Sequence, residues 1–452
     1  MTALNAPPVI TPLRRRSALL AYGWLMRLLM PVLLLRLVWR GRAEPLYRRW
    51  IGERLGFYPP SLRAQIEPGR LWLHAVSLGE TRAAAALVTA LRAQQPGLRL
   101  LLTHGTATGR EAGRALLRDG DLQVWAPWDT PGAVRRFLAR HRPAAGVLME
   151  TEIWPALLDA ARRRGVPMLL ANARLSERSL RRQQSWPALM VPAMASLEQA
   201  LAQTESDAQR LQLAGAASTL VCGNLKFDMS PDPALLSRGI GWREALRRPV
   251  VMMASSREGE EPPLLDAWRN GPGRRSDQRA DAPLLLLVPR HPQRFDEVAA
   301  MLRAAGLTLA RRSEWADMPP EAAAGADVWL GDSLGELPLY YAVADVALLG
   351  GSFAPLGGQN LIEAAACGCP LLIGPSSFNF AEAAELAIAA GAAARVADIG
   401  AALDAATVLL ADDARRRRQA ESALAFAAGH RGAAQRMAVQ VIAALGADNR
   451  DR

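Results

Sequence analysis

The body of this chain alternates short apolar runs with longer amphipathic stretches, and this alternation constrains the fold more strongly than any other feature. Short apolar runs between helical stretches are typical of parallel β-strands that are buried on both faces. Such runs occupy residues 71–76, 98–103, 146–149, 168–171, 199–202 and 220–222, and, after a Ser-Pro-Asp-Pro break at residue 230, residues 250–254, 284–288, 328–330, 346–350 and 371–374. Two consecutive arrays of this kind predict an α/β protein with two parallel sheets.

The two arrays divide the chain into four predicted parts. Residues 1–45 form an N-terminal arm, 46–230 and 231–425 form two Rossmann-like domains, and 426–452 form a terminal helix. Ligands of parallel sheets bind beyond the carboxyl ends of the strands. We therefore expect the two domains to face each other across a cleft that contains the functional site.

The composition excludes several classes of protein. Of the 452 residues, 50% are hydrophobic and 21% are charged, which excludes a disordered chain. Three cysteines, Cys222, Cys367 and Cys369, are too few for a disulfide framework and lack the paired spacing of a structural zinc site. A reducing compartment that faces the cytosol is the simplest interpretation.

The net charge of +11 is concentrated at the N-terminus. Residues 1–50 contain nine arginines and one acid, Glu44, so this segment carries eight of the eleven net charges. A protein that binds nucleic acid is expected to carry a basic stripe on its folded body, with interleaved aromatic residues or a helix-turn-helix pattern, and this sequence shows neither. Charge in one apolar arm favours anionic lipid as the partner and argues against nucleic acid.

Residues 19–39 of the arm are apolar apart from Arg27 and Arg36. As a helix they reach about 31 Å, which is close to the thickness of a bilayer core. Arg27 lies near the middle, where an arginine costs about 2.5–3.5 kcal/mol on insertion into a bilayer. A spanning helix, an interfacial helix and a buried helix of the soluble domain therefore all stay open. No small-residue cleavage site precedes Arg36, which disfavours a signal peptide. We predict membrane attachment, with the following domain on the cytoplasmic side because arginines follow the apolar stretch.

Glu80 lies where the first predicted strand gives way to a helix, in the segment His74-Ala-Val-Ser77-Leu-Gly-Glu80-Thr. A carboxylate at the carboxyl end of a strand, facing the cleft, could act as general base toward an attacking hydroxyl. Ser77 and Glu80 also fit a capping box, in which the glutamate only holds the start of the helix. The spacing supports both interpretations equally.

Glu150 and Glu152 directly follow the predicted strand at 146–149. Two acids two residues apart point to different sides, so one of them is expected to face the cleft and orient an acceptor or stabilise charge. The alternative is that Glu152 only interacts with the positive end of the following helix. No histidine or third acid is spaced to complete a metal site with them.

A glycine-rich loop at 350–358 joins the strand at 346–350 to a helix that contains Glu363. Small residues let a phosphate approach backbone N–H groups, a helix N-terminus adds partial positive charge, and Glu363 could accept hydrogen bonds from a ribose. The loop matches neither a P-loop nor G-x-G-x-x-G, and the alternative is that its glycines serve turn geometry alone. Arg290 and a turn at 331–336 end two other strands of this domain, and the three features together indicate a nucleotide site.

Eight segments taken together resemble a known family. Residues 74–80, 150–155, 171–176, 223–228, 288–292, 331–337, 350–363 and 374–380 are similar, in order and spacing, to the 3-deoxy-D-manno-octulosonic acid (Kdo) transferases of Gram-negative bacteria. The resemblance implies the GT-B architecture, an N-terminal membrane segment on the cytoplasmic face of the inner membrane, and no metal or other cofactor. It also implies transfer of Kdo from CMP-Kdo to the lipid A precursor with inversion.

The resemblance further implies roles for particular residues. Glu80 is implied as the catalytic base, and Glu150 and Glu152 are implied in contacts to the acceptor or the transition state. The residues implied in CMP binding are Pro289, Arg290, Leu334, Gly335, Glu336, Asn360, Leu361, Ile362 and Glu363. Gln359 stands where the family usually has histidine, and a glutamine is not protonated near neutral pH, so we expect no cationic role there.

Two other functions stay open at this point. One is another GT-B enzyme, either a transferase or an epimerase, that uses a UDP-sugar. The other is a lipid- or nucleotide-binding protein without catalytic activity, against which the acids at positions 80, 150 and 152 argue.

Overall fold

A computed structural model of the chain describes residues 7–228, 230–271 and 282–447. The described residues form two compact units. The first unit comprises the described residues up to Asp228 together with those from Arg431 onward, and the second comprises those that lie between.

The first unit contains a parallel sheet of seven strands in the order β3-β2-β1-β4-β5-β6-β7. These strands are β1 (Leu71–His74), β2 (Leu100–His104), β3 (Leu122–Trp125), β4 (Ala145–Met149), β5 (Met168–Ala173), β6 (Gln199–Ala202) and β7 (Thr219–Val221). Successive side chains of a strand point to opposite faces, so Trp72 and Leu73 lie in two different hydrophobic clusters, one on each face of this sheet.

The helices of the first unit that lie before Asp228 connect these strands or precede them. They are α1 (Pro12–Arg40), α2 (Ile51–Arg54), α3 (Pro60–Arg63), α4 (Leu78–Gln94), α5 (Ala107–Gly113), α6 (Pro131–His141), α7 (Pro155–Arg162), α8 (Glu177–Gln184), α9 (Pro187–Met194) and α10 (Glu205–Leu213). Ser77, Thr130 and Thr204 begin three of them as N-caps, because each side-chain oxygen accepts a hydrogen bond from a backbone N–H of the first turn.

The second unit contains another parallel sheet of seven strands, in the order β10-β11-β9-β8-β12-β13-β14. These strands are β8 (Val250–Ser256), β9 (Leu284–Pro289), β10 (Leu309–Arg311), β11 (Val328–Leu330), β12 (Val346–Leu349), β13 (Leu371–Ile373) and β14 (Ala393–Arg395). Its helices are α11 (Pro233–Ala245), α12 (Glu261–Asn270), α13 (Phe295–Ala304), α14 (Glu321–Ala324), α15 (Leu337–Val343), α16 (Leu361–Ala366), α17 (Ala381–Ala389), α18 (Ile399–Ala411) and α19 (Asp413–Gly429).

The predicted terminal helix at 426–452 differs from the structure. Residues 426–429 end α19 in the second unit, whereas α20 (Ala433–Ala447) belongs to the first. Met437 and Val441 of α20 are fully buried in the same cluster as Leu73, so the chain returns to cover one face of the first sheet. This return has no local signal in the sequence, since an apolar helical face does not specify the sheet on which it packs.

The parallel sheets confirm the predicted α/β class, but three strands went unpredicted. These strands, β3, β10 and β14, all lie at the edges of their sheets. An edge strand has a neighbouring strand on one side only and is less buried than a central strand. The sequences of β10 and β14 are Leu-Ala-Arg and Ala-Ala-Arg, so neither contains the continuous apolar run that is typical of a central strand.

Each sheet has a point at which the chain reverses the direction in which it adds strands. In the first sheet this point lies between β1 and β4, and in the second it lies between β8 and β12. Ligands of parallel sheets bind in the crevice beyond the carboxyl ends of such neighbouring strands. Glu80 follows β1 and Glu150 and Glu152 follow β4, whereas the glycine-rich loop follows β12.

Candidate active site

Glu80 lies in the first turn of α4, and both of its carboxylate oxygens accept hydrogen bonds. The backbone N–H of Val76 donates to Oε2 at 2.8 Å and the hydroxyl of Ser77 donates to Oε1 at 2.8 Å. The capping interaction that the sequence left open is therefore present. Glu80 stays half-buried, so a capping role and contact with a substrate are compatible.

Burial raises the pKa of Glu80, and the negative charge of Glu150 adds to this rise. The hydrogen bonds from Val76 and Ser77 oppose it, but the net pKa lies above the ordinary value of a glutamate. A higher pKa makes the carboxylate a better acceptor for a proton near neutral pH. The environment of Glu80 therefore suits a general base.

Glu150 is the first residue after β4 and adopts a left-handed conformation with φ of 58°. Its N–H donates to the carbonyl of Ala171 in β5 at 2.9 Å, which continues the sheet pairing past the end of the strand. Residues other than glycine hold this conformation at a cost of about 1–3 kcal/mol, and such strain clusters at functional sites.

Glu152 is half-buried close to these acids. Burial, followed by the negative charge of Glu80, raises its pKa to about 7, although the indole N–H of Trp154 donates to its Oε2 at 2.7 Å and opposes the rise. Glu150 contributes a smaller increase. The structure thus brings together three acids from two separate segments, so that Glu150 influences the pKa of Glu80, and Glu80 and Glu150 influence that of Glu152.

A buried polar network supports the segment that contains Lys226. Asn172, in β5, has φ of 52°, and its side-chain carbonyl accepts the N–H of Leu225 at 3.0 Å. Gln203 donates to the backbone carbonyl of Asn172 and accepts from the side chain of Asn224, both at 2.9 Å. Sequence reasoning gave these amides no role, because their spacing in the chain shows no pattern.

The glycine-rich loop of the second unit binds a carboxylate from its own chain. Glu260 is buried, and its carboxylate accepts the N–H groups of Gly351 at 2.8 Å, Phe353 at 3.1 Å and Ala354 at 3.3 Å. The N–H of Arg257 donates to the same side chain at 2.8 Å. Burial raises the pKa of Glu260, and these N–H donors oppose the rise.

The expectation that a phosphate binds the N–H groups of this loop is therefore wrong for Gly351, Phe353 and Ala354, since an internal anion already occupies them. Sequence reasoning missed Glu260, although its place shortly after β8, the neighbour of β12, offered a signal. Close packing explains the first glycine of the loop, because a Cβ on Gly350 would lie 2.2 Å from the carbonyl oxygen of Ser255.

Arg290, the predicted cation, contacts the residue that directly follows the glycine-rich loop. Its Nε donates to the side-chain oxygen of Gln359 at 3.2 Å, and its guanidinium is exposed. Burial raises the pKa of Glu363 and the charge of Arg290 opposes the rise, so these two residues lie near each other. Asn360 caps α16, with its side-chain oxygen accepting the N–H of Ile362 at 3.1 Å.

Glu336 forms ion pairs within its own unit. Its carboxylate accepts hydrogen bonds from Arg238, from Arg312 at 2.8 Å and from the hydroxyl of Ser333 at 2.6 Å. Burial alone would raise the pKa of Glu336, but these donors outweigh it and the net pKa is lowered. Gly335 has φ of 80°, and no heavy atom lies within 4 Å of the position that a Cβ would occupy. A ligand can therefore approach the backbone of this turn closely.

Within residues 7–228, 230–271 and 282–447, no group of three or more histidine, cysteine, aspartate or glutamate side chains is arranged to hold a metal ion. His74, which ends β1, is fully buried with its Nδ1 2.9 Å from the hydroxyl of Thr103. Burial lowers the pKa of His74 to about 4, so this histidine is neutral.

Comparison with known proteins gives the family. Residues 49–229 match the family model described as 3-Deoxy-D-manno-octulosonic-acid transferase (kdotransferase). The chain is 53% identical over 373 residues to 3-deoxy-D-manno-octulosonic acid transferase of Bordetella pertussis, which covers 81% of this chain and 85% of that protein. It is 33% identical over 404 residues to the Haemophilus influenzae protein of the same name, covering 87% of this chain and 91% of that protein.

Solved structures support the fold. UDP-GlcNAc 2-epimerase from Neisseria meningitidis, bound to UDP-GlcNAc, aligns with a TM-score of 0.53 and 14% identity, over 82% of this chain and 99% of that chain. Identity this low shows a common fold alone, and the fold is GT-B, as predicted. Together with the relatives in Bordetella and Haemophilus, these findings confirm the family that the sequence resembled: the chain belongs to the Kdo transferases and is a glycosyltransferase.

Proposed function

We propose that this protein transfers Kdo from CMP-Kdo to the lipid A precursor, with inversion, as a step of lipopolysaccharide biosynthesis at the cytoplasmic face of the inner membrane. The main support for the proposal is that Glu80, Glu150 and Glu152 lie close together beyond the carboxyl ends of β1 and β4. The chain that carries them belongs to the Kdo transferase family. Acids with raised pKa values at such a site are typical of proton transfer.

In the proposed reaction, Glu80 accepts the proton of an acceptor hydroxyl. The hydroxyl oxygen forms a bond to the ketosidic carbon of Kdo as the bond from that carbon to the CMP phosphate breaks, and the electron pair of the broken bond leaves on the phosphate. Glu150 and Glu152 contact the acceptor or stabilise the charge that develops. Attack from the side opposite to CMP inverts the configuration, which requires the base and the donor to lie on opposite sides of the sugar.

We propose that the predicted domain at residues 231–425 holds the donor and that the predicted domain at 46–230 holds the acceptor. The proposed CMP contacts are Pro289, Arg290, Leu334, Gly335, Glu336, Asn360, Leu361, Ile362 and Glu363. These residues end or follow the parallel strands β9, β11 and β12, whose carboxyl ends lie at one edge of the second sheet. The exposed guanidinium of Arg290 would neutralise the phosphate of the leaving CMP, so that no divalent metal is needed.

Membrane attachment is part of the proposal because the acceptor is a lipid. By length and composition, helix α1 could cross a bilayer. Arginines within and after α1 would interact with anionic lipid headgroups. The residues proposed as the membrane-attachment arm are 1–45.

The test compares Glu80→Gln with the exposed control Glu177→Gln. An amide oxygen can still accept from Ser77 or Val76, so we expect Glu80→Gln to fold and to be stabilised by CMP as wild type is. Its transfer rate should fall by about 10²–10⁴-fold, the usual contribution of a general base, and the control should keep wild-type transfer. A Glu80→Gln enzyme with near-normal transfer would remove Glu80 from the mechanism. Stabilisation by UDP in place of CMP would redirect the proposal to a UDP-sugar enzyme.

A further inference from the structure

Helix α1 packs against the first unit along one continuous stripe. The residues of this stripe are buried or half-buried and recur at intervals of three and four: Arg15, Ala18, Leu19, Tyr22, Gly23, Met26, Met30, Leu33, Leu34, Leu37 and Arg40. Such spacing places them on a single face of a helix. Gly23 and Leu37 are the buried members of this stripe, and the others are half-buried, so one side of the helix contacts the folded unit.

Specific contacts fix both ends and the middle of this stripe. Near the start, Arg15 forms an ion pair with Asp159 at 2.6 Å. In the middle, the hydroxyl of Tyr22 donates to the fully buried Asp129 at 2.9 Å. Near the end, Leu37 lies in a buried cluster with Trp125.

The opposite face of α1 is apolar and exposed to solvent. Its large residues include Leu20, Trp24, Leu25, Leu28, Val32, Leu35, Val38 and Trp39, and Leu28 is 74% exposed. Three exposed arginines border this face, with Arg16 and Arg27 along one side and Arg36 along the other. The arginines lie along the two borders of the apolar face because the protein itself covers the remaining side of the helix.

We propose that α1 lies along the surface of an anionic bilayer, with its outer face inserted at the headgroup level, and does not cross the membrane. This inference rests on the proposed membrane attachment and specifies its geometry. Long arginine side chains at the border of an apolar face can extend to lipid phosphates, and tryptophans favour the interface.

A spanning orientation conflicts with the contacts of α1. From Arg15 to Leu37 the helix rises about 33 Å, which is the whole thickness of a bilayer core. Crossing the membrane would require this stretch to leave the protein, which breaks the contacts of Arg15 and Tyr22. It would also place the charge of Arg27 in the hydrocarbon.

The first test locks the middle of α1 to the domain with a disulfide. A Cβ on Gly23 would lie 3.0 Å from Cγ of Pro131, so Gly23→Cys with Pro131→Cys, in a background with Cys367→Ser, places two thiols on side chains that are in direct contact. We expect the oxidised protein to associate with vesicles of phosphatidylethanolamine and phosphatidylglycerol as strongly as the reduced protein does. Loss of association on oxidation, or a disulfide that forms in detergent and not on vesicles, would overturn the inference.

The second test uses a change for which the two orientations predict opposite signs. For a surface helix, Arg27→Gln removes one attraction to anionic lipid and should weaken vesicle partitioning about fivefold. For a spanning helix, the same change removes a charge from the bilayer core and should strengthen insertion. Arg417→Gln, an exposed arginine of the second unit, is the matched control. Stronger or unchanged partitioning of Arg27→Gln contradicts the inference.

A third variant distinguishes the bilayer from a second copy of the chain as the occupant of this face. Leu28→Glu should weaken vesicle binding and leave the oligomeric state unchanged. The control Leu424→Glu, at a position that is 49% exposed, should leave both vesicle binding and the oligomeric state unchanged. A change from dimer to monomer with unchanged vesicle binding would contradict the inference. Transfer to a detergent-solubilised acceptor should be normal in Arg27→Gln and Leu28→Glu. The inferred orientation of α1 can therefore be disproved while the proposed transferase function still holds.

Discussion

Replacing Glu260 tests whether an internal carboxylate holds the glycine-rich loop. The carboxylate accepts four backbone N–H groups, three of them from the loop. In Glu260→Gln, the single amide oxygen can accept two of these four, and the amide NH2 group is left facing the other donors. Two N–H groups then lose their partner in a buried position.

The expected loss of stability follows from these contacts. A hydrogen bond to a charged group contributes about 1.5–3 kcal/mol, so two lost bonds cost about 3–6 kcal/mol. Removing the buried charge recovers part of this cost, because burial raises the pKa of Glu260 and so disfavours its ionised form. We expect a net loss of about 3 kcal/mol, which lowers the melting temperature of a unit of about 200 residues by about 6–12 °C.

The measurement is calorimetric unfolding of the full chain, with and without CMP. The control is Glu258→Gln, because Glu258 is exposed and pairs only with its neighbour Arg257 in the described structure. We expect the control to unfold as wild type does, and Glu260→Gln to lose both melting temperature and part of its stabilisation by CMP. Equal melting temperatures for the two variants would refute the role assigned to Glu260.

Three other variants test separate parts of the site. Trp154→Phe removes the hydrogen bond that opposes the raised pKa of Glu152, so we expect the limb of the pH–rate profile near pH 7 to move to higher pH, and a limb that stays or moves lower would contradict this. The folded state favours protonated Glu152, so its contribution to stability should fall as pH rises from about 4.5 to about 7, which thermal melts across that window would detect. Gly350→Ala places a Cβ 2.2 Å from the carbonyl oxygen of Ser255 and should cost about 3 kcal/mol in denaturant unfolding; a tolerated alanine would show that the backbone can move. Asn172→Ala loses a buried hydrogen bond and keeps a left-handed φ, which should cost about 2 kcal/mol, and a neutral effect would show that the polar network contributes no stability.

The sequence predicted the central strands well because they are buried on both faces and therefore read as continuous apolar runs. The edge strands β10 and β14 carry little apolar sequence, and their pairing depends on neighbours that are distant in the chain. The packing of α20 on the first sheet is equally non-local, since about 200 residues separate it from the rest of its unit.

The acids of the site were predictable because each follows a strand, and parallel strands bring their carboxyl ends to one edge. The two interpretations of Glu80 proved compatible, since the carboxylate both caps its helix and has a raised pKa. The role of Glu260 was not predictable from a motif. The glycines of a loop before a helix indicate that its N–H groups can bind an anion, but not that a buried side chain of the same unit already supplies one.

The most direct test of the central proposal is mass spectrometry of the reaction product. Detergent-solubilised enzyme is incubated with CMP-Kdo and a tetraacylated lipid A precursor, with Glu80→Gln in parallel. We expect wild type to release CMP and to convert the lipid into a species heavier by one or more Kdo residues, and Glu80→Gln to leave the lipid unchanged. An unmodified lipid with wild type, under conditions in which CMP binds and stabilises the protein, would contradict the proposal.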